Sequence, residues 1–292
     1  MTTSLTTIDT NNFAAMAQAM GMSADSANTK KQTSTLARLR LQHSAILGDD
    51  KVLVKAGQYR LEVPDGPTYY AQSVNLRPYL QRFMYKRFIK GFGDKPNRYV
   101  KTVMANNLNI DLKDNDGGFN CGKPAGYIED FKALPEKTQE LIKQIKRVRV
   151  MLGTVELINA TDAQGKSVEV DEMPFIWEIE NRDAFKDVGA VFNKLTKMKR
   201  LPVQHHVIGN TEERKLPNGN SFYLPVVSLD VTKTLDLGDK EQDTFADFMA
   251  WVENYNEYII NAWSDKATEH DDVIDAEITE GIIDVELDEE VA

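Results

Sequence analysis

Between Leu76 and Lys101 eight cations, Arg77, Arg82, Lys86, Arg87, Lys90, Lys95, Arg98 and Lys101, stand against the single acid Asp94. Six aromatic residues are interleaved with them: Tyr79, Phe83, Tyr85, Phe88, Phe92 and Tyr99. Cations neutralise phosphates and release their counter-ions, and aromatic faces stack on bases at about 1–3 kcal/mol each, so this mixture suits single-stranded nucleic acid. Some of the aromatics must also serve a core, and Arg and Lys stems commonly cover apolar surface. A second group, Lys143, Lys146, Arg147 and Arg149, leads into an alternating run in which period two sets Arg147 and Arg149 away from Val148 and Val150. The nucleic-acid-binding set expected from the two runs is Arg77, Tyr79, Arg82, Phe83, Tyr85, Lys86, Arg87, Phe88, Lys90, Arg98, Lys101, Arg147 and Arg149.

Signals of catalysis are poor. Asp111, Asp114, Asp116 and Gly117 tempt a calcium or magnesium reading, but the EF-hand pattern needs an acid at Leu112 and a late Glu at Lys123. A turn explains them better. His205 and His206 are adjacent, so a straight strand points them to opposite sides, where they cannot share a metal. Gly-Gly-Phe-Asn-Cys-Gly-Lys at 117–123 misses the spacing of a phosphate-binding loop, and no nucleophile elbow or dinucleotide glycine pattern is present. No enzyme activity, cofactor or metal is expected, although a nuclease built from scattered carboxylates stays open as an alternative.

The elements that must position the basic and aromatic residues follow from periodicity. Phe13, Met16, Ala17 and Met20 have helical spacing, and a polar stretch follows, so residues 1–35 read as a flexible arm with a short helix. Residues 36–132 read as β-rich: Val52, Val54, Tyr59, Leu61 and Val63 alternate, and Pro64-Asp65-Gly66-Pro67 makes a turn before Tyr69 and Tyr70. The pattern of Pro78–Lys90 leaves strand and helix open. Asp114-Asn115-Asp116-Gly117-Gly118 is a strong turn signal, and Pro135 opens a helix with Leu141, Ile142 and Ile145 on one face.

Residues 133–233 carry the order strand (Val148–Ile158), short strand (Val168, Val170), strand (Pro174–Ile179), helix (Arg182–Arg200), strand (Pro202–Thr211) and strand (Phe222–Val231). Three strands, a helix and two strands is the order of the five-stranded OB barrel, often used for oligonucleotides. Lys194, Lys197, Lys199 and Arg200 fit the solvated end of the helix, and Trp177, alternating with Phe175 and Ile179, fits the core. Tyr223 fits either environment. In 234–268 an amphipathic helix repeats Phe245, Phe248, Met249, Val252, Tyr255, Ile259 and Ala262 at intervals of three and four. The expected fold class is therefore β-rich α+β: an OB-like barrel with additional N-terminal strands and a C-terminal helix.

The whole chain of 292 residues carries a net charge of −10. Residues 269–292 hold eleven carboxylates and no Lys or Arg, so subtracting −11 leaves 1–268 at +1. Such a block of like charge is expected to be an extended, disordered tail that recruits a basic partner or folds back onto a basic groove. Cys121 is the only cysteine, which excludes an internal disulfide and a multi-thiolate zinc site and fits a reducing cytoplasm. Met1–Thr10 lacks the basic and apolar regions of a signal peptide, and no apolar run approaches the roughly 20 residues of a membrane span.

With a mobile arm, a basic-aromatic body of OB-like order and a detachable acidic C-terminus, the chain resembles phage single-stranded DNA-binding proteins. Asn106–Gly126, Pro174–Lys186 and Thr211–Pro225 are also similar to an uncharacterised group of marine phage proteins, which implies a viral origin and no activity. In the T-even type a basic, then hydroxyl-rich N-terminal segment supports cooperative binding. Lys30, Lys31, Thr33, Ser34 and Thr35 resemble it, interrupted by Gln32. That type also has a His and Cys zinc site, which a chain with Cys121 alone lacks, and acidic tails of the class often end on an aromatic residue where this one ends Val291-Ala292. The resemblance implies a non-catalytic protein that coats single-stranded DNA in the host cytoplasm during replication or recombination, self-associates, and engages replication proteins through its tail. A phage structural or assembly protein is the main alternative.

Overall fold

The computed structural model describes residues 36–288 except 50, 92, 94, 95, 125, 127, 217 and 218, and only the backbone of 268–288. The expected N-terminal arm with Lys30–Thr35, together with Phe92 and Lys95, lies outside the described residues. Eleven strands and three α-helices follow: β1 (Ala37–Leu41), β2 (Ile46–Gly48), β3 (Lys51–Val54), β4 (Tyr59–Glu62), β5 (Thr68–Ala71), β6 (Ser73–Ile89), β7 (Arg98–Lys101), α1 (Glu136–Gln144), β8 (Ile145–Ile158), β9 (Met173–Ile179), α2 (Arg182–Lys197), β10 (Val207–Lys215), β11 (Ser221–Leu229) and α3 (Asp239–Asp288). Apart from the β2–β3 pair, the strands form one nine-stranded sheet ordered β11-β10-β6-β8-β9-β1-β4-β5, with β7 also paired to β6. Only β1 and β9 run parallel, so the sheet is mixed.

The fold is thus β-rich α+β with a large mixed sheet and a C-terminal helix, but the sheet is not closed into a barrel. Val168 and Val170, expected to form a short strand, lie in the β8–β9 loop and pack against the core instead. The long strand β6 separates β8 from β10, bonding β8 from Ser73↔Ile158 to Arg87↔Ile145, which leaves the expected pairs β8–β9 and β10–β11 in place but keeps the two pairs from joining each other. The segment from Pro202 starts as a single 3-10 turn, Pro202–Gln204, and becomes a strand only at Val207.

The sheet has two buried faces. Alternation sends Met151, Val155 and Leu157 of β8, Phe175 and Trp177 of β9 and Leu39 of β1 inward, where Ala184, Val188, Val191, Phe192 and Leu195 of α2 meet them. Trp177 is core, edge-on to Tyr59 with ring centroids 6.0 Å apart. Asn181 caps α2 by accepting the amides of Asp183 and Ala184 at 2.8 and 3.2 Å, and Lys194 and Lys197 sit in its last turn. On the outer face Val148, Val150 and Leu152 of β8 and Ile176 of β9 pack against Phe248 and Val252 of α3. At roughly 1.5–3 kcal/mol for each large side chain removed from water, this second core is enough to hold α3 on the sheet.

One irregularity decides which way half of β6 points. The register passes from Pro78↔Gly153 to Leu80↔Leu152, leaving Tyr79 as an extra residue. Such a bulge inverts the side-chain alternation beyond it. Val74 and Leu76 face the α2 side, whereas Leu80 and Met84, of the same parity, face α3. Proline suits a bulge because it lacks an N–H, and Gly153 opposite is required: a Cβ there would lie 2.3 Å from the Arg77 carbonyl oxygen.

Candidate nucleic-acid interface

Before its end the basic-aromatic run is spent on the fold. Arg77 donates to Val203 O at 2.8 Å and Asp236 O at 2.7 Å and forms an ion pair with Glu241 at 3.0 Å, tying β6 to the start of α3. Tyr79 packs on Phe248 with ring centroids 5.5 Å apart, and Arg82 reaches Met249 Sδ at 3.4 Å. Burial lowers the pKa of the Arg82 guanidinium. Phe83 packs against Phe185 of α2, and Tyr85 is buried with its hydroxyl donating to Leu108 O at 3.3 Å.

Arg149 departs furthest from the nucleic-acid-binding placement expected of it. It is 8% exposed, donates to Phe185 O at 3.2 Å and to Gln81 Oε1, and lies 4.9 and 4.6 Å from the Phe83 and Phe185 ring centroids. Burial without a carboxylate partner among the described residues pushes its pKa down to about 10. Alternation does set it opposite Val148 and Val150, but α2 covers that face. Arg87 is half-buried with a buried Nε that has no hydrogen-bond partner. Arg98 is held by both carboxylate oxygens of Asp116, and exposed Arg147 lies over Phe185 at 5.5 Å.

Beyond the cover of α3 the outer face is different. Lys101 of β7, Lys86 of β6 and Lys146 of β8 oppose one another across three neighbouring strands, forming a row perpendicular to them. Directly opposed like charges destabilise a sheet, and here Glu178 of β9 and Glu180 just past its end supply the counter-charge. Glu178 bridges Lys86 at 2.8 Å and Lys101 at 3.2 Å, and Glu180 bridges Lys86 at 2.5 Å and Lys146 at 3.3 Å. Burial alone would raise the Glu178 carboxyl, but Lys101 and Lys86 outweigh it and hold it below its usual value. Burial likewise opposes the charge of Lys86, and the two glutamates override it and raise its pKa.

Two residues further along β6 and β7, beside the lysine row, Phe88 and Tyr99 form an exposed ring pair 5.1 Å apart, 44% and 52% exposed. Lys90 is exposed just beyond. On the far side of β9, Arg40 opposes Arg60, and Glu62 reaches both at 3.4 and 2.7 Å. Arg38 opposes Glu62, is exposed, and has no ion pair among the described residues. This uncovered surface carries six cations (Arg38, Arg40, Arg60, Lys86, Lys101, Lys146) and three carboxylates (Glu62, Glu178, Glu180), a net +3.

The surface opens into a cleft of about 920 Å³. β1 pairs with β9 only at Ala37↔Phe175 and Arg38↔Ile176, and the cleft lies where the two strands stop pairing. Tyr223 of β11 and Trp251 of α3 add aromatic wall. The sheet rolls enough for the Tyr59 hydroxyl of β4 to donate to Asn210 O of β10 at 3.0 Å, although no strand ladder joins them. Arg38, Arg40, Arg60, Glu178 and Glu180 were not in the expected set. The alternation Ala37-Arg38-Leu39-Arg40-Leu41, with buried and exposed residues in turn, was the available signal for the first two.

The acidic turn and His205 have structural roles. Asp114 is buried and accepts amides of Asp116, Gly118 and Cys121, each at 3.0 Å, and Asp111 accepts Asn120 Nδ2 at 2.7 Å. Cys121 is buried, and burial first, then Asp114, pushes its thiol up to about 12. His205 is fully buried with Nδ1 3.2 and 3.1 Å from the carbonyls of Asp230 and Lys233, which requires that nitrogen to donate. Among the described residues no group of three His, Cys, Asp or Glu could hold a metal, and no helix is long and apolar enough to cross a membrane. Comparison with protein-family models, with curated proteins and with solved structures finds no match to this chain.

Proposed function

We propose that the chain is a non-catalytic single-stranded DNA-binding protein that coats exposed strands in phage replication or recombination, the strand lying in the cleft on the outer face. The observation that carries this reading is the in-register row Lys101–Lys86–Lys146 beside the exposed rings of Phe88 and Tyr99, because phosphate contact and base stacking are then available side by side. The OB expectation enters as a functional likeness: a rolled sheet offering cations and aromatic rings in a cleft. Of the thirteen residues expected from sequence, Lys86 and Lys101 line the cleft, Phe88 lies beside it in the ring pair with Tyr99, and Lys90 is exposed just beyond.

The acidic segment from Glu269 is a polyanion on the same chain and, in this reading, competes for the cleft until DNA displaces it towards replication proteins. The test is fluorescence anisotropy of a labelled oligo-dT strand at low and moderate salt, beside a duplex control. It is run on the full chain and on a chain ending at Thr268. Strand-selective binding that weakens with salt and tightens on truncation is expected. Absence of binding by the truncated chain would sink the DNA reading, and equal affinities of the two chains would sink the tail switch.

A structural or assembly role is the second reading, favoured by exposed apolar side chains: Leu47 and Val52 on the β2–β3 pair and Phe245, Tyr258 and Ile260 on α3. Light scattering without DNA separates the two, since a large closed oligomer belongs to the assembly reading.

A further inference from the structure

Three lysines opposed in register on adjacent strands stand roughly 4.8 Å apart, and such a row survives in a folded protein only with anions beside it. The anions are Glu178 in β9 and Glu180 just past its end, two residues apart and both bonded to Lys86, a separation of roughly 6.6 Å between Cα atoms for extended backbone. That spacing is comparable to the distance between neighbouring phosphates of an extended strand. Arg40 and Arg60 repeat the arrangement, opposed in register and sharing Glu62. In both clusters cations from different strands converge on carboxylates, and Glu178 and Glu180 sit at the wall of the open cleft, where water and ligand reach them.

We propose that Glu178 and Glu180 are built-in counter-ions occupying the positions of two successive phosphates, so that the lysine row is a polyphosphate-binding site whose affinity these two carboxylates hold down. The inference rests on the nucleic-acid reading for its natural ligand, while the anion site itself can be tested without DNA. Entry of a ligand exchanges lysine–carboxylate pairs for lysine–phosphate pairs, with no covalent step. Glu180 is the better handle: its side chain is 28% exposed, and its partner Lys146 is 60% exposed and has no other ion pair among the described residues. Removing the Glu180 charge frees Lys146 fully and leaves Lys86 paired to Glu178.

The experiment compares wild type, Glu180→Gln, Glu180→Gln combined with Lys146→Gln, and Glu169→Gln as an equal charge change on an exposed residue outside the cleft. Two probes are titrated: labelled oligo-dT by anisotropy, and inorganic tripolyphosphate by the fluorescence of Trp177 and Trp251, which line the cleft. Circular dichroism checks that each variant is folded. Glu180→Gln should bind both probes about 3- to 10-fold more tightly at low salt. Its oligo-dT salt dependence should be steeper by about 0.7 in the logarithmic slope, one added phosphate contact on a single strand. The double variant should return to wild-type affinity. Glu180→Gln behaving like Glu169→Gln with both probes, or the double variant keeping the gain, overturns the inference. Tighter tripolyphosphate binding with no oligo-dT binding by any chain upholds the anion site and instead removes the DNA reading.

Discussion

Residues 77–85 and 86–101 carry the same mixture of cations and rings, and the two stretches meet opposite fates. In the first, α3 and α2 cover the sheet from either side. Arg77 becomes a tie to Glu241, Arg82 a cover for Met249, and Tyr79, Phe83 and Tyr85 become packing. In the second, Phe88 and Tyr99 stay exposed, and Lys86 and Lys101, though paired with Glu178, line the cleft. A cation tied to backbone carbonyls has little left for a phosphate, whereas Lys86 and Lys101 are paired with carboxylates at the cleft wall. Composition therefore identifies a binding surface only after the covering elements are subtracted.

The comparison can be broken by substitution, starting where the effect is largest. Phe248→Ala empties the fully buried site between α3 and the strands and should cost about 3–5 kcal/mol in urea unfolding, leaving oligo-dT affinity unchanged per folded molecule. Arg77→Ala should cost about 1.5–3 kcal/mol, because a charged donor and its three acceptors lose one another at a mostly buried site. Its oligo-dT affinity should change less than twofold, and a large loss would return Arg77 to the interface. Tyr99→Ala should leave the melting temperature nearly unchanged and weaken oligo-dT binding by about 1 kcal/mol, roughly fivefold, the lower range for a stacked base because Phe88 remains.

The smallest effect is a dependence on acidity. The carboxyl pKa of Glu178 is lower folded than unfolded, so its contribution is present at neutral pH and is lost as pH falls through the ordinary glutamate value of about 4.3 and below. Wild type should melt above Glu178→Gln at pH 7, and the gap should shrink below pH 4. A gap that stays constant into acid would mean that the lysine row does not act on this carboxylate.

Much of the local structure was legible in the sequence. The spacing of Val188, Phe192 and Leu195 marks α2, that of Phe248, Val252 and Ile259 marks α3, and the alternation of Tyr59 and Leu61 marks β4. Trp177 reads as core from its neighbours and is core. The site was legible in part. Lys86, Phe88, Lys90 and Lys101 stand out by type, but Arg149 enters the expected binding set because alternation states only that it points away from Val150 and not which face a helix will cover. Arg38, Arg40 and Arg60 come from strands far from the basic run, and only pairing through β9 brings them beside it. The helical backbone of α3 continues to Asp288 through the acidic segment expected to be extended, where the side chains lie outside the described residues.

By itself, then, the sequence determined the charge budget of +1 in residues 1–268 against −11 beyond, the class of fold, and the helices with their buried stripes. These depend on composition and on periods of two and 3.6 residues, which are local. Only the tertiary structure decided that the sheet stays open, that the bulge at Pro78–Leu80 turns Lys86 and Phe88 outward, and that Lys101, Lys86 and Lys146 share a row with Glu178 and Glu180. The reason is that register and coverage are set between segments distant in sequence, and a one-residue slip exchanges the two faces of a strand.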